Sequence, residues 1–337
     1  MAVTGSGTQA DPWIVHSYSE FMSLKNVESD PSGDIYYIQF FDSEHPNQVI
    51  DCNTYGSEFK WHTFDSFGNE FKTYHINLNG CTIKNFLIAD GEVMFPGGYA
   101  QYRYSRTFYI SNGSFRNVFL GSATSKICTN QVNFQDISIS FNFAGTTVTP
   151  FDGDGNVTFD NCAMYLVGST LQAPVIKRSV LTDTDIEIYI ANQNNIVPFC
   201  GGSYSNYSTL QDCRIQGKIG GNAHNAPNAQ CGTVLGVASA SNNDESMVCK
   251  YINCVVDLDL TDSYFNARGY GSAYKVIAAS GSTDMNTNVI CKSHYPSTGE
   301  ASGLVYPSDW NYMTHEDIRN GTYLNNAGFT VVEVVGS

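Results

Sequence analysis

Seven short segments of this chain can be aligned so that Gly, Asn or Asp stands third and an apolar residue stands sixth. The third residues are Gly80, Asn112, Asp136, Asn161, Asp183, Asp212 and Asn253, and each segment starts two residues earlier. Gly, Asn and Asp are the residues that adopt a left-handed backbone most readily. A tight corner followed by a strand, repeated along the chain, predicts a coil of stacked parallel strands.

The spacing of these corners and the alternation after them support the coil. Successive corners are 32, 24, 25, 22, 29 and 41 residues apart. We interpret this as a core repeat of about 22–25 residues, with longer loops leaving one corner. Apolar residues then alternate, in the sets Cys81, Ile83 and Leu87; Ile137, Ile139, Phe141 and Phe143; and Thr184, Ile186, Ile188 and Ile190. Alternation predicts one inward and one outward set of side chains. An antiparallel β-sandwich also alternates and is the competing interpretation.

Composition agrees with an all-β chain and restricts its partners. Charged residues make up only 15% of the 337 residues, aromatic residues 13%, and there are 30 glycines. Acidic residues number 32 and basic residues 17, so the net charge is −15. The chain has no run of Lys or Arg, and nucleic-acid binding requires a positive surface. We therefore expect no nucleic-acid partner and no attraction to anionic membranes.

The N-terminal residues show no basic segment followed by an apolar stretch, and no window of the sequence is apolar enough to cross a membrane. We expect no membrane insertion and synthesis in a cytoplasm. Action outside the cell would then need a route other than a secretory signal.

Ten cysteines could form five disulfides, but the repeat indicates otherwise. Cys81, Cys162, Cys213 and Cys254 each follow a corner residue directly. That position predicts small buried side chains stacked inside the coil, with free thiols. One or more disulfides remain the alternative. The chain has no Cys-x-x-Cys pair, and Cys291 with His294 is a lone pair without partners in the sequence, so a zinc site is poorly supported.

The chain divides into three regions. Residues 1–75 form an N-terminal cap with entering strands, in which Ser17 and Glu20 predict a short capped helix. Residues 76–300 hold the coil. Residues 301–337 break the pattern with a helix predicted from Thr314 and a closing strand at 329–335. This last region is either a plain end cap or an attachment and oligomerisation element.

The sequence gives only weak support for any catalytic or metal-binding group. Asp185 and Glu187 are two residues apart on one predicted strand, as are Asp257 and Asp259 on another, with Asp183 and Asp262 nearby. Two carboxylates on one face can hydrolyse a glycosidic bond, but acids on the solvent side of an alternating strand need no such role.

The segment 151–156 resembles a calcium loop in its alternating oxygens. It has Val157 where glycine is needed and Ala163 where the bidentate glutamate would stand. We therefore predict a solvated turn, with no metal, no cofactor and no identified catalytic residue.

Aromatic residues give the most suggestive surface. The stretch 99–109 concentrates Tyr and Arg, and further tyrosines lie in later loops. The candidate binding or assembly residues are Tyr99, Tyr102, Tyr104, Arg106, Tyr109, Tyr204, Tyr207, Tyr264 and Tyr270. Exposed Tyr and Arg suit sugar stacking or subunit contact. Ordinary packing of a Tyr-rich β-protein is the alternative.

Two terminal stretches carry a resemblance to a known group of proteins. The start Gly5-Ser-Gly-Thr8, Asp11-Pro12-Trp13 followed by a helix resembles the opening of β-helical proteins encoded by bacteriophages and gut bacteria. Thr314, Ile318, Asn320, Tyr323, Leu324, Gly328 and Phe329 resemble a terminal helix-and-strand element of similar proteins. Segments such as 76–85 look like the pectate-lyase-like coil of phage fibres and spikes.

This resemblance implies a right-handed single-stranded parallel β-helix with short helical caps, and a protein of the virion surface. The expected function is a structural one, as a capsid decoration, head-fibre or tail-fibre subunit. The expected partners are other virion proteins, further copies of the chain in a homotrimer, and a host surface glycan. The alternatives are a polysaccharide depolymerase and a bacterial carbohydrate-binding adhesin, because related folds serve many functions.

Overall fold

The computed structural model of the protein describes residues 3–24, 35–55, 59–62, 64, 72–98, 106–122, 124–143, 150–168, 176–190, 208–219, 250–252, 254–260 and 290–294. These residues form one α-helix, α1 (Tyr18–Ser23), a 3₁₀ turn at Cys52–Tyr55, and many strands. The first strands are β1 (Trp13–Val15), β2 (Ile35–Phe40), β3 (Val49–Asp51), β4 (Lys60–Trp61), β5 (Lys72–Asn77), β6 (Thr82–Ile88), β7 (Val93–Phe95), β8 (Arg106–Leu120), β9 (Lys126–Thr129) and β10 (Val132–Phe143). The later strands are β11 (Phe151–Asp160), β12 (Ala163–Gly168), β13 (Ile176–Thr182), β14 (Asp185–Ile190), β15 (Thr209–Gln211), β16 (Arg214–Ile219), β17 (Lys250–Ile252), β18 (Val255–Leu260) and β19 (Ile290–His294).

Every pairing between these strands is parallel. One column runs through β1, β2, β5, β8, β10, β11, β13, β15 and β17. A second runs through β3, β6, β8, β10, β12, β14, β16, β18 and β19. A third joins β7, β9 and the first residues of β11 and β13.

The all-β parallel fold is therefore confirmed, and the antiparallel sandwich is wrong. We call one passage of the chain through these columns a rung.

The predicted corners have the predicted backbone. Asn112, Asp136, Asn161, Asp183 and Asp212 have φ between 47° and 57°, and Gly80 has φ of 76°. Strand pairing on both sides sets Asp136 opposite Asn161, and Asp183 opposite Asp212. The corner residues thus stack from rung to rung, as the alignment of the segments requires. Asn253 lies outside the described residues.

One segment is aligned wrongly upstream of its corner. Ile110 pairs with Ile76 instead of Leu78, although Phe115 pairs with Ile83 as aligned. The corner before β6 holds two more residues than the corner in β8. Leu78, in the longer corner, packs directly against Gly113 of the corner in β8. A Cβ at Gly113 would lie only 2.4 Å from the Leu78 Cβ.

A second left-handed residue lies within β6, after the corner, and it reverses the alternation predicted for the rest of that strand. Asn85 has φ of 62° and Asn117, on the next rung, has φ of 53°. Beyond this bulge Phe86 and Ile88 are buried, whereas Leu87 is only half-buried. Placing Leu87 with Cys81 and Ile83 was therefore wrong, because an inserted left-handed residue changes the parity of a strand.

The core is a continuous interior of aliphatic and aromatic side chains. Tyr36, Tyr74 and Phe108 stack on successive rungs with ring centroids 5.6 and 5.2 Å apart. The described cysteines are buried and free: Cys52, Cys81, Cys128, Cys162, Cys213 and Cys254. The prediction of buried free thiols is confirmed for these six.

Helix α1 begins where the sequence predicts. Ser17 is its N-cap, and the Ser17 Oγ accepts a hydrogen bond from the Glu20 backbone N–H at 3.2 Å. Phe21 stacks on Phe64 with centroids 4.4 Å apart, so the helix packs on the core. The second predicted helix, and the whole region 301–337, lie outside the described residues.

The segment that resembles a calcium loop is not a turn. Residues 151–156 belong to β11, whose pairing with β13 is irregular between Asp152 and Val157. The Asp152 carboxylate bonds the Lys126 ammonium at 2.5 Å. Phe151 and Asp152 pair with β9 and β13, and the pairing resumes at Val157, so the segment continues one strand and the predicted solvated turn was wrong. Of the helices that the structure describes, none has the length and apolar character to span a membrane.

Candidate binding groove

A groove of about 560 Å³ lies on the outer face of the first column. Strands β2, β5, β8, β10 and β11 form its floor, and Gln9 and Pro12 of the N-terminal segment also line it. The Tyr37 backbone N–H donates to the Gly7 carbonyl oxygen at 2.9 Å, which fixes the N-terminal segment against β2. The volume falls in the range of about 300–1,000 Å³ typical of ligand sites.

Three outward side chains form a stacked ladder in this groove. Tyr37, His75 and Tyr109 are register partners on β2, β5 and β8. Their ring centroids are 4.6 and 4.7 Å apart, with interplanar angles of 8° and 7°. The stack ends at Tyr109, because the next rung has Asn133 at the same position. Tyr109 is 43% exposed. Tyr37 and His75 are less exposed, so Tyr109 is the ring of the ladder most accessible to a ligand.

A row of polar side chains runs beside the ladder. Its register partners are Gln39, Asn77, Ser111, Gln135 and Asp160. These residues are two positions after the ladder residues, so they share the outward face of the strands. All five line the groove. The groove thus has aromatic rings on one side and hydrogen-bonding groups on the other.

Internal hydrogen bonds orient several of these groups. The Gln39 Nε2 donates to the Phe41 carbonyl oxygen at 2.8 Å. The Asn77 Oδ1 accepts from the Asn79 N–H at 2.9 Å and from the Asn112 Nδ2 at 3.2 Å. The Asn133 Oδ1 accepts from the Thr158 hydroxyl at 2.7 Å. In Gln39 and Asn77 these bonds occupy one end of the amide, so the other end is presented in a set orientation. The Asn133 amide is bonded at both ends, because its Nδ2 also donates to the Phe108 carbonyl oxygen at 3.4 Å.

The groove carries little positive charge. Burial lowers the pKa of His75 below its ordinary value of 6.5, so its imidazole is neutral at pH 7. Among the described lining residues, the other ionisable groups are Asp160 and the two tyrosines, and none is Lys or Arg.

The sequence-predicted surface residues are only partly described. Tyr109 belongs to the groove, and Arg106 lies half-buried at the start of β8. The others lie outside the described residues: Tyr99, Tyr102, Tyr104, Tyr204, Tyr207, Tyr264 and Tyr270.

Sequence reasoning missed Tyr37 and His75. Each directly precedes an isoleucine of one stacked row, in which Ile38 pairs with Ile76 and Ile76 pairs with Ile110. Tyr37 lies outside the aligned segments, but placing Ile76 instead of Leu78 over Ile110 would have brought His75 beside Tyr109. The two-residue insertion at the corner concealed it.

The candidate carboxylates on β14 are not a solvated pair. Asp185 is only 6% exposed, and its Oδ2 accepts from the Arg214 Nη2 at 2.8 Å. Burial raises the pKa of Asp185 to about 6, and the Arg214 charge only partly offsets this. The solvated role expected for Asp185 was therefore wrong, because a side chain of outward parity can still be covered.

The remaining candidate acids form no site that the structure describes. Glu187 is half-buried, and the side chains of Asp257, Asp259 and Asp262 lie outside the described part. Asp183, at a corner, has a raised pKa owing to burial and then to Asp212 and Asp160. Within the described residues no group of three or more His, Cys, Asp or Glu side chains is placed to hold a metal ion.

Comparison with known proteins gives little guidance. No family model matches the chain, and no curated protein matches it significantly. A solved structure described as "a putative immunoglobulin A1 protease from Bacteroides ovatus" is similar, with 14% identity and a TM-score of 0.46 over 86% of each chain. At that TM-score the similarity supports no statement about fold or activity.

Proposed function

We propose that this chain is a right-handed single-stranded parallel β-helix that acts as a non-catalytic protein of a bacteriophage surface and binds a glycan. Helix α1 would then cover the open end of the coil, where an uncovered sheet edge favours aggregation. The resemblance of residues 5–13 and 76–85 to β-helical phage proteins supports a place on the phage surface.

The observation that carries the binding role is the ladder of Tyr37, His75 and Tyr109 beside a polar row. A sugar ring has apolar C–H faces and hydroxyl edges. The exposed ring of Tyr109 suits the apolar C–H faces, and the amides of the polar row suit the hydroxyl edges. The groove crosses several rungs, so it suits a segment of a chain better than a single small molecule.

A glycan-array measurement with matched variants tests this proposal. Tyr109→Ala should abolish or strongly weaken binding, because the platform is removed. Phe119→Ala is the control, since Phe119 has the same 43% exposure on another column of the coil. Equal loss in both variants, or no glycan bound by the wild type, would contradict the binding role.

The virion setting is tested separately. Antibodies against the chain should label purified particles in electron micrographs. Their absence from particles, together with expression from a bacterial chromosome, would favour the adhesin alternative.

A depolymerase remains the second candidate because of Asp185. A buried carboxyl group with a pKa of about 6 is suited to proton transfer near neutral pH. Release of new reducing ends from a bound polysaccharide, lost in Asp185→Asn, would establish it. Binding without cleavage would support the non-catalytic role.

A further inference from the structure

We infer that the groove selects an uncharged, hydroxyl-rich glycan and rejects chains bearing carboxylate or sulfate groups. This inference rests on the proposed glycan-binding function and names the ligand class of the same groove. Its basis is the pattern of donors and acceptors that the internal hydrogen bonds leave in place.

Neighbouring rungs present opposite ends of their amides. The Gln39 Nε2 donates to the Phe41 carbonyl oxygen, which leaves the Gln39 Oε1 to accept a hydrogen bond from a ligand. The Asn77 Oδ1 accepts from the Asn79 N–H and the Asn112 Nδ2, which leaves the Asn77 Nδ2 to donate a hydrogen bond to a ligand. An acceptor and a donor therefore lie on neighbouring rungs, about 4.8 Å apart.

The remaining polar groups repeat this mixture. A neutral His75 imidazole has one donor and one acceptor nitrogen. The hydroxyls of Tyr37, Tyr109 and Ser111 can each donate and accept. The Asp160 carboxylate only accepts when ionised.

A hydroxyl group satisfies such a surface at every position, because it both donates and accepts. A ligand carboxylate or sulfate only accepts, so beside Gln39 or Asp160 it would face another acceptor. The described lining offers no Lys or Arg to pair with it. The chain's net charge of −15 adds a long-range repulsion. An uncharged glycan avoids both the contact between two acceptors and the long-range repulsion.

Binding to neutral and acidic polysaccharides of similar length, measured at low and high salt, tests the inference. The wild type should bind a neutral glucan, galactan or mannan at least tenfold more tightly than polygalacturonate or a sulfated glycan. High salt should narrow this difference only in part, because salt screens the long-range repulsion but leaves the mismatch of acceptors.

Charge variants separate the groove from the net charge. Asp160→Lys should reduce the preference for neutral chains several-fold. Glu44→Lys changes the net charge equally in the exposed turn before β3, outside the groove, and should leave the preference unchanged.

Two failures are distinguishable. If the wild type binds no glycan of either class, the proposed function fails. If it binds acidic chains as tightly as neutral ones, or if Glu44→Lys shifts the preference as much as Asp160→Lys, glycan binding stands and this inference is overturned.

Discussion

At the scale of single residues, the fold depends on side chains that tolerate a left-handed backbone at a corner. Asn and Asp can also bond a neighbouring rung there, as when the Asn161 Nδ2 donates to the Asp136 Oδ1 of the preceding rung at 2.5 Å. The residue after the corner then points inward and supplies a buried donor. The Cys162 and Cys213 thiols and the Thr184 hydroxyl each donate to the carbonyl two residues earlier. The recurrence of Cys at this position follows, because a thiol is small, apolar and still a weak donor.

Replacing Asn161 separates backbone strain from side-chain bonding. Asn161→Ala should lower the free energy of unfolding by about 1–2 kcal/mol, because alanine keeps the Cβ that opposes the left-handed conformation but loses the polar side chain that offsets it. Asn161→Gly loses the same side-chain bond but relieves the strain, so it should be the more stable of the two variants. Urea unfolding of both variants measures the difference. Equal stabilities would show that backbone conformation does not decide this position.

The buried thiols should be unreactive in the native protein. Burial raises the pKa of Cys52, Cys81 and Cys162 to about 12, and the thiolate is the reactive form. At pH 8 a thiol reagent should leave these three unmodified for as long as the protein stays folded. All three should react at once in denaturant, as followed by mass spectrometry of peptides. Rapid modification of native Cys162 would contradict the stacked interior.

At the scale of strands, the second column contains an ion pair that the alternating pattern does not predict. Asp185 on β14 and Arg214 on β16 are register partners on neighbouring rungs. Since the pKa of Asp185 is raised, the folded protein holds its proton more tightly than the unfolded chain does. This group therefore favours folding below pH 4, and its contribution is lost as the pH rises through about 6.

Removing the arginine should make this pH dependence steeper. Arg214→Met leaves a buried carboxylate without its cation and should destabilise the fold by about 3 kcal/mol at pH 7.5. The loss should be smaller at pH 5, because Asp185 can then be protonated. Denaturant unfolding at both pH values measures it. Lys84→Met, which breaks the exposed pair with Asp51, is the control and should have little effect at either pH. A loss independent of pH would show that Arg214 acts through packing alone.

At the scale of the whole molecule, the stacked rungs make a rod with long lateral faces, one of which bears the groove. Each rung contacts mainly its neighbours, so long loops can leave one corner without disturbing the columns. The sites proposed for assembly, at 99–109 and 314–335, lie largely outside the described residues. The assembly state therefore stays a prediction.

We expect a homotrimer in solution, because rods of this kind expose flat faces that associate around a threefold axis. Light scattering after size-exclusion chromatography should give three times the chain mass of 37.0 kDa. Joint replacement of Tyr102 and Tyr104 by Ala should weaken the trimer while leaving the circular dichroism of the strands unchanged. A monomer at micromolar concentration would refute this expectation.

The sequence by itself determined the coil, because the corners obey local rules. A left-handed backbone selects Gly, Asn or Asp at Asn112 or Asp183 whatever lies around it, and strand alternation follows from backbone geometry. The capped helix at Ser17 is local in the same way.

The tertiary structure alone decided which rungs lie side by side and what covers them. The ladder of Tyr37, His75 and Tyr109 depends on a register set by a two-residue insertion before Cys81. The burial of Asp185 depends on what covers the outer face of its strand. Both result from contacts between residues far apart in the chain, and no local pattern encodes them.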